Sequence, residues 1–573
     1  MLINRTPFEV SIPVNLDAES ILPEGLKPQK AAKLIDGIHY FLNLLFPKPT
    51  ERKKRKMLEQ EGFIRLKAVV LKHIIGPEYK QIRELLEAQQ IIQVDMQFVL
   101  GKKTRGYRIS ERYFIASRQA IITNGGIRKR HHAFIAEAKK EQQVKLKNLT
   151  HLTKWLNKNH ISIDVDAAHD FVEIYRIKML ELCYNTTYTS NAHKEEARYR
   201  VLNRCYYQKY VVKTIDEGSI TCSRDNSGRL YTPLVSLKKE LRNFVLLEGQ
   251  KTGSIDIKSS QPYLFTKLLD KAFWQTKPST PISLYKIHKE KYIMVNETEL
   301  RNNIITLLNS YGSVYGIGLE RIPFKNIEWE NDFYSQLKAL IARKTGDQKI
   351  LKCFETRAAV KKAVMLILFD LFHIKKPPYY QGFKLAFKDE LALMDKIKTH
   401  PVKNLFATML QAVEATIMLD RTCKDISERY PQVPILTIHD SVVCGTQYLD
   451  PIKETMRESL QEHVGIQPGL KIEVKNIDQV MSEMDATVAS DWNELLQSLK
   501  KNKNKDWMST FNEEPKEIPL RNRMMKIDGR IYLDKRMVFV DDIENEDQYE
   551  ADFLEEADAT DEYYQWLESG YEG

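Results

Sequence analysis

Asp256 and Asp440 lie 184 positions apart, each in or beside a run where an acid is destabilising. Asp256 sits in Gly253-Ser-Ile-Asp-Ile-Lys-Ser-Ser-Gln-Pro-Tyr-Leu264 and Asp440 in Pro434-Ile-Leu-Thr-Ile-His-Asp-Ser-Val-Val443. The β-branched, apolar runs read as buried strands. A carboxylate there needs a cation or hydrogen bonds to compensate it. Two such acids, brought together by adjacent strands, form a site for divalent metal. Two-metal phosphoryl transfer uses that arrangement, with carboxylates bridging ions roughly 3.5–4 Å apart. The plainer reading of either aspartate alone is a strand-end cap or turn residue.

Phosphoryl transfer also calls for a protein cation on the phosphates. Helical spacing lets one face supply it together with an aromatic wall, because residues four apart align. Arg357, Lys361, Met365 and Phe369 are spaced this way in Arg357-Ala-Ala-Val-Lys-Lys-Ala-Val-Met-Leu-Ile-Leu-Phe369. A rival helix, Leu300–Asn309, runs into Ser310-Tyr-Gly-Ser-Val-Tyr-Gly316, with Tyr311 and Tyr315 as its aromatics. Arg301 is its one nearby cation, so the first helix is preferred.

The elements that must position these residues belong to a chain of 573 residues, long enough for two to four compact units. No run of about 18 apolar residues suggests a membrane span, and the first residues lack the pattern of a secretory signal. The six cysteines show no Cys-x-x-Cys, which points to a reducing, cytoplasm-like compartment and against zinc. The net charge of +10 hides an asymmetry. Residues 541–573 hold 14 of the 77 acidic side chains and no Lys or Arg, so the rest carries 87 basic against 63 acidic, or +24. A body that basic suits a polyanion.

Around Asp225-Asn-Ser-Gly-Arg-Leu-Tyr231 the texture changes to a turn, followed by Lys238-Lys-Glu-Leu-Arg-Asn-Phe244 and the strand ending at Asp256. This passage resembles the Thr-Gly-Arg to motif A region of family A DNA polymerases, and Ile438-His-Asp-Ser441 resembles their motif C. The 357–369 face is similar to the motif B helix of phage-type single-subunit RNA polymerases, with Phe369 in place of Tyr. The resemblance covers residues 225–480. It implies an α+β right-hand polymerase: an antiparallel palm sheet, a helical fingers insertion and a mainly helical N-terminal region.

The resemblance also assigns roles. Asp256, the carbonyl of Ile257 and Asp440 would hold two Mg²⁺, or Mn²⁺ in their place. Lys361 and Arg357 would bind the triphosphate, and Met365 and Phe369 would lie at the nascent pair. Arg229, Arg242, Gln411 and His439 would hold primer and template. Gln261 would crowd a ribose, favouring deoxynucleotides, whereas Ser441 matches the His-Asp-Ser of the RNA enzymes. The implied function is a template-directed DNA polymerase, with a single-subunit RNA polymerase or primase-like enzyme as the alternative. A catalytically silent nucleic-acid-binding protein is a further one. The implied partners are primer–template nucleic acid and nucleoside triphosphates. An HD-type phosphohydrolase built on His439-Asp440 is disfavoured, because those enzymes carry the pair on a helix.

The expected organisation is an N-terminal basic helical accessory domain (1–160) and a helical thumb-like region (161–224). The first palm segment (225–265), the fingers (266–400) and the second palm segment (401–498) follow, then a linker and hairpin (499–540) and the acidic tail (541–573). Glu51-Arg-Lys-Lys-Arg-Lys56 and Arg128-Lys-Arg-His-His132 read as solvated faces that together favour a nucleic-acid side. Gly125-Gly126 reads as a turn. Tyr175, Tyr184, Tyr206, Tyr207 and Tyr210 read as core or as base-stacking rings. The tail reads as a partner-binding segment, an internal nucleic-acid mimic or a solubilising extension.

Overall fold

A computed structural model describes residues 6–96, 104–188, 190–275, 282–287, 297–315, 323–370, 376–402 and 404–501, with the backbone of 524–527 and 530–533. The acidic tail and the side chains of Tyr311 and Tyr315 lie outside the described residues.

The N-terminal third is mainly helical, as expected, but it also carries five short strands. Strands β1 (Phe8–Pro13), β2 (Ile64–Arg65), β3 (Ile92–Asp95), β4 (Gly106–Ile109) and β5 (Ser117–Ile122) make two small antiparallel sheets, β1-β5 and β2-β4-β3. These strands have two to six residues, too few for a period-two pattern to stand out against the flanking helices. Gly125-Gly126 opens the Gly125–Leu146 helix instead of breaking the chain. The Asn124 side chain accepts from the amides of Gly126 (3.0 Å) and Ile127 (3.1 Å), and this cap outweighs glycine's poor propensity.

The basic clusters of this region are largely structural. Lys54 is buried against the buried Glu51 carboxylate at 2.9 Å. Arg130 donates to the carbonyls of Ile74 (2.9 Å) and Ile75 (3.2 Å), closing the end of the Ala68–Ile74 helix. His131 stacks on Phe8 at 4.1 Å and bonds the Tyr40 hydroxyl at 3.0 Å. Tyr175, Tyr206 and Tyr207 are buried in the cores and Tyr210 is half-buried, which removes them as base-stacking surfaces; Tyr184 alone of the five is exposed.

The larger sheet positions the site. Strands β6 (Ile161–Ile163), β9 (Val245–Leu247), β10 (Gln250–Ile257), β12 (Ser441–Gly445) and β11 (Leu436–Ile438) lie side by side, and β13 (Leu470–Glu473) pairs with β10. A separate ribbon, β7 (Ser223–Arg224) with β8 (Leu230–Tyr231), frames the 225–229 turn. In the register of β10 and β12, Asp256 faces Ser441 and Gly253 faces Cys444. A Cβ at Gly253 would meet the side-chain tips of Val474 at 2.7 Å and Leu449 at 2.8 Å, so those side chains pack directly over the glycine.

One hydrophobic core runs from Leu149 to Leu499 and includes both faces of this sheet; a second joins residues 10–135 with Tyr206. The Arg357–Phe369 helix begins and ends at its sequence-predicted limits, and Gln411 lies on a second helix, Leu405–Ile417. Residues 524–527 and 530–533 pair as the expected hairpin.

Candidate active site

The turn between β11 and β12 consists of His439 and Asp440, with Ile438 paired to Ser441. His439 takes a left-handed backbone (φ 57°), a strained conformation that persists where the surroundings over-determine it. Placing the pair in a hairpin turn, not on a helix, separates it from the phosphohydrolase arrangement. Because Ser441 is the register partner of Asp256, the turn brings Asp440 next to that acid.

The two carboxylates are held by hydroxyls. Ser254 donates to one oxygen of Asp256 at 3.1 Å, and Ser441 donates to the other. Asp440 is pushed above the usual carboxylate range, first by burial and then by the charge of Asp256. The Ser260 hydroxyl, its own backbone amide and the charge of Arg229 only partly offset this. The pair lies on the wall of a cleft of about 920 Å³. Ile257, Arg242, His439 and Arg357 also line that cleft.

The donors are hard oxygens, which suit Mg²⁺ or Mn²⁺. Among the described residues no group of three or more His, Cys, Asp or Glu side chains forms a ready-made cage. Mg²⁺ needs none, since it is commonly held by one or two carboxylates together with waters and substrate phosphates.

Arg357 enters the cleft from the first turn of its helix, whose cap is Thr356, accepting from the Ala359 amide at 3.1 Å. Its guanidinium bonds Asp332 at 3.0 and 2.7 Å and lies over the Tyr334 ring at 5.3 Å. Burial raises Asp332, but Arg357 and the hydroxyl and amide of Ser335 outweigh it and bring the acid below its usual range. Lys361 is exposed one turn on, while Met365 and Phe369 are half-buried, Phe369 against the main core. The Glu297–Tyr315 helix contributes no described side chain to the cleft lining.

Several predicted contacts are turned inward. Arg229 follows a turn built by Asp225, whose carboxylate accepts from Ser227 (amide 2.9 Å, hydroxyl 2.7 Å) and from the Arg229 amide (3.0 Å), with Gly228 at φ 83°. The Arg229 guanidinium then makes a bidentate pair with Glu414, at 2.7 and 2.8 Å, inside the protein. Gln261 is buried on the Ser260–Phe265 helix and donates its amide to the same Glu414 carboxylate. Arg242 is half-buried and donates to the carbonyls of Leu237 (3.2 Å) and Val235 (3.4 Å); burial lowers its pKa. Gln411 is half-buried one turn before Glu414. The His439 ring meets Tyr231 edge-on at 5.7 Å.

Glu414, Ser254, Ser260 and Asp332 are the participants that sequence reasoning missed. Glu414 did carry a signal, as the one charged residue in a largely apolar helix, Leu405–Ile417. Ser254 sits two residues before Asp256 on the same strand face, and that spacing was readable too.

No family model matches the chain, and no curated protein matches it. One solved structure found to be similar is the POL domain of Pol1 from M. smegmatis, in complex with DNA primer–template and dNTP. The match is 11% identical, covers 78% of this chain and 82% of that one, and has a TM-score of 0.26. So loose a superposition carries no structural argument.

Proposed function

We propose that this chain is a template-directed nucleotidyltransferase, a DNA polymerase of the family A superfamily working by two-metal phosphoryl transfer. The observation that carries this reading is the pair Asp256 and Asp440, set side by side by β10 and the β11–β12 turn on the wall of a large cleft. In this reading Asp256, Asp440 and the Ile257 carbonyl would hold two Mg²⁺. When bound, the ions would activate the attacking hydroxyl and neutralise charge on the phosphates.

The protein's own groups supply the rest. Ser254, Ser441 and Ser260 fix the carboxylates so that they need little reorganisation when metal arrives. Arg357, anchored by Asp332 at the cleft's edge, meets the triphosphate, with Lys361 on the next turn of the same face. The partners are a primed template and nucleoside triphosphates.

A single-subunit RNA polymerase is the second reading, favoured by Ser441, whose hydroxyl bonds Asp256, and by the Arg-Lys-Met-Phe face. Extension of one primed template with dNTPs and rNTPs in separate reactions tests both. Extension with dNTPs that is lost in Asp440→Asn supports the first, rNTP-only extension supports the second, and no extension by wild type in either contradicts both.

A further inference from the structure

Behind the aspartate pair lies a third acid that neither binds the cleft nor faces water. Glu414 is 1% exposed, and both of its oxygens are engaged: Oε1 by Arg229 Nε at 2.7 Å, Oε2 by Arg229 Nη2 at 2.8 Å and by the Gln261 amide. Arg229 sits beside the Asp440 turn: Tyr231, two residues on, meets the His439 ring at 5.7 Å, and Gln261, which bonds the same Glu414 carboxylate as Arg229, directly follows Ser260, whose hydroxyl bonds Asp440. The other acidic neighbour of Arg229, Asp225, spends Oδ1 on three bonds within its own turn. An arginine released from Glu414 therefore has the Asp440 carboxylate among the anions beside it.

We infer that Glu414 is a positioning residue that holds Arg229 away from Asp440 and so keeps the aspartate pair able to bind divalent metal. Two physical facts support this. A bidentate carboxylate–guanidinium pair fixes the plane and the distance of the arginine, which a single charge contact does not. A guanidinium placed on Asp440 would occupy the oxygens a metal needs and cancel half the charge that attracts it. Gln261 completes the arrangement, since its amide fixes the second oxygen of Glu414 without adding charge. The inference rests on the metal site of the proposed function.

Direct Mn²⁺ binding to the full-length protein, read by the loss of the free-ion electron paramagnetic resonance signal, tests it without any turnover. Wild type binds Mn²⁺ and Asp440→Asn loses the binding; if wild type binds none, the metal site itself fails and the inference with it. Given wild-type binding, Glu414→Gln requires about tenfold more Mn²⁺ for half-saturation. Arg229→Gln/Glu414→Gln, which removes the stray cation as well, returns to within about threefold of wild type. Unchanged affinity in Glu414→Gln, or no recovery in the double variant, overturns the inference while leaving the metal site standing. Melting curves establish that each variant is folded. If Glu414→Gln does not fold, Glu414→Asp is read instead: retaining the charge, it binds within about threefold of wild type, and a tenfold loss there overturns the inference.

Discussion

The N-terminal core and the cleft are both rich in charge, but they use it differently. In the first, charges are consumed by the fold: Arg108 meets Glu196 at 2.5 Å with both side chains buried, Arg65 meets Asp95 at 2.5 Å, and Lys54 meets Glu51. At the cleft, Lys239 and Lys471 lie at the surface around Glu473 (3.0 and 2.6 Å), Arg357 is largely exposed, and Asp440 is raised above the usual carboxylate range by burial and by the neighbouring Asp256. Buried pairs mainly penalise removal of one partner, whereas incompletely neutralised charge in a cleft is available to a ligand. Density of Lys and Arg along the sequence therefore does not tell which charges the fold consumes; their partners in three dimensions do.

The contrast breaks most visibly at Asp440. Asp440→Asn is expected to reduce primer extension by about three orders of magnitude or more while leaving the melting temperature unchanged or raised, because a repulsive buried acid has been neutralised. A fall in stability that accounts for the lost activity would contradict the assignment.

The converse holds in the N-terminal core. Glu196→Gln leaves Arg108 and Arg200 buried without their carboxylate and is expected to destabilise the fold by about 3–5 kcal/mol in chemical denaturation. Specific activity per folded molecule should stay intact.

The N-terminal core and the larger core should also respond oppositely to pH. His131, buried among cations, is held down at about 3 from 6.5. Between those values the unfolded chain binds the extra proton, so this contribution to stability is lost as pH falls below 6.5. Glu390, in the larger core, is raised from 4.5 to about 7 by burial, with the Phe324 amide at 2.8 Å as a partial offset. There the folded chain holds the extra proton, so stability is lost as pH rises from 4.5 towards 7. Melting curves across this range should show Glu390→Gln raising stability at pH 8 by about 1–3 kcal/mol, with His131→Gln flattening the acid limb.

The smallest effect sharpens the comparison further. Arg357→Ala removes an exposed ion pair and should change stability by about 0–1 kcal/mol. If its guanidinium meets the triphosphate, KM for nucleotide rises nonetheless; an unchanged KM would remove Arg357 from that role.

The elements that carry the candidate site were legible because their signals are local. The apolar runs around Asp256 and Asp440 and the spacing of 357–369 gave strands and a helix close to the observed limits. What the sequence withheld depends on distant partners. Arg229 and Glu414 are 185 positions apart, and nothing local indicates that the arginine of an Asn-Ser-Gly turn will be neutralised inside the protein. His131 and Arg130 looked like surface charge because their partners, Phe8, Tyr40 and the carbonyls of Ile74 and Ile75, are contributed by the small N-terminal unit as a whole. The N-terminal sheets escaped notice for a different reason, their brevity.

The central claim is that Asp256 and Asp440 share divalent metal. Anomalous diffraction at the manganese edge, from crystals of the full chain soaked in Mn²⁺, tests it most directly. The account predicts a peak within coordination distance of both carboxylates; Mn²⁺ bound elsewhere, with that position vacant, would contradict it.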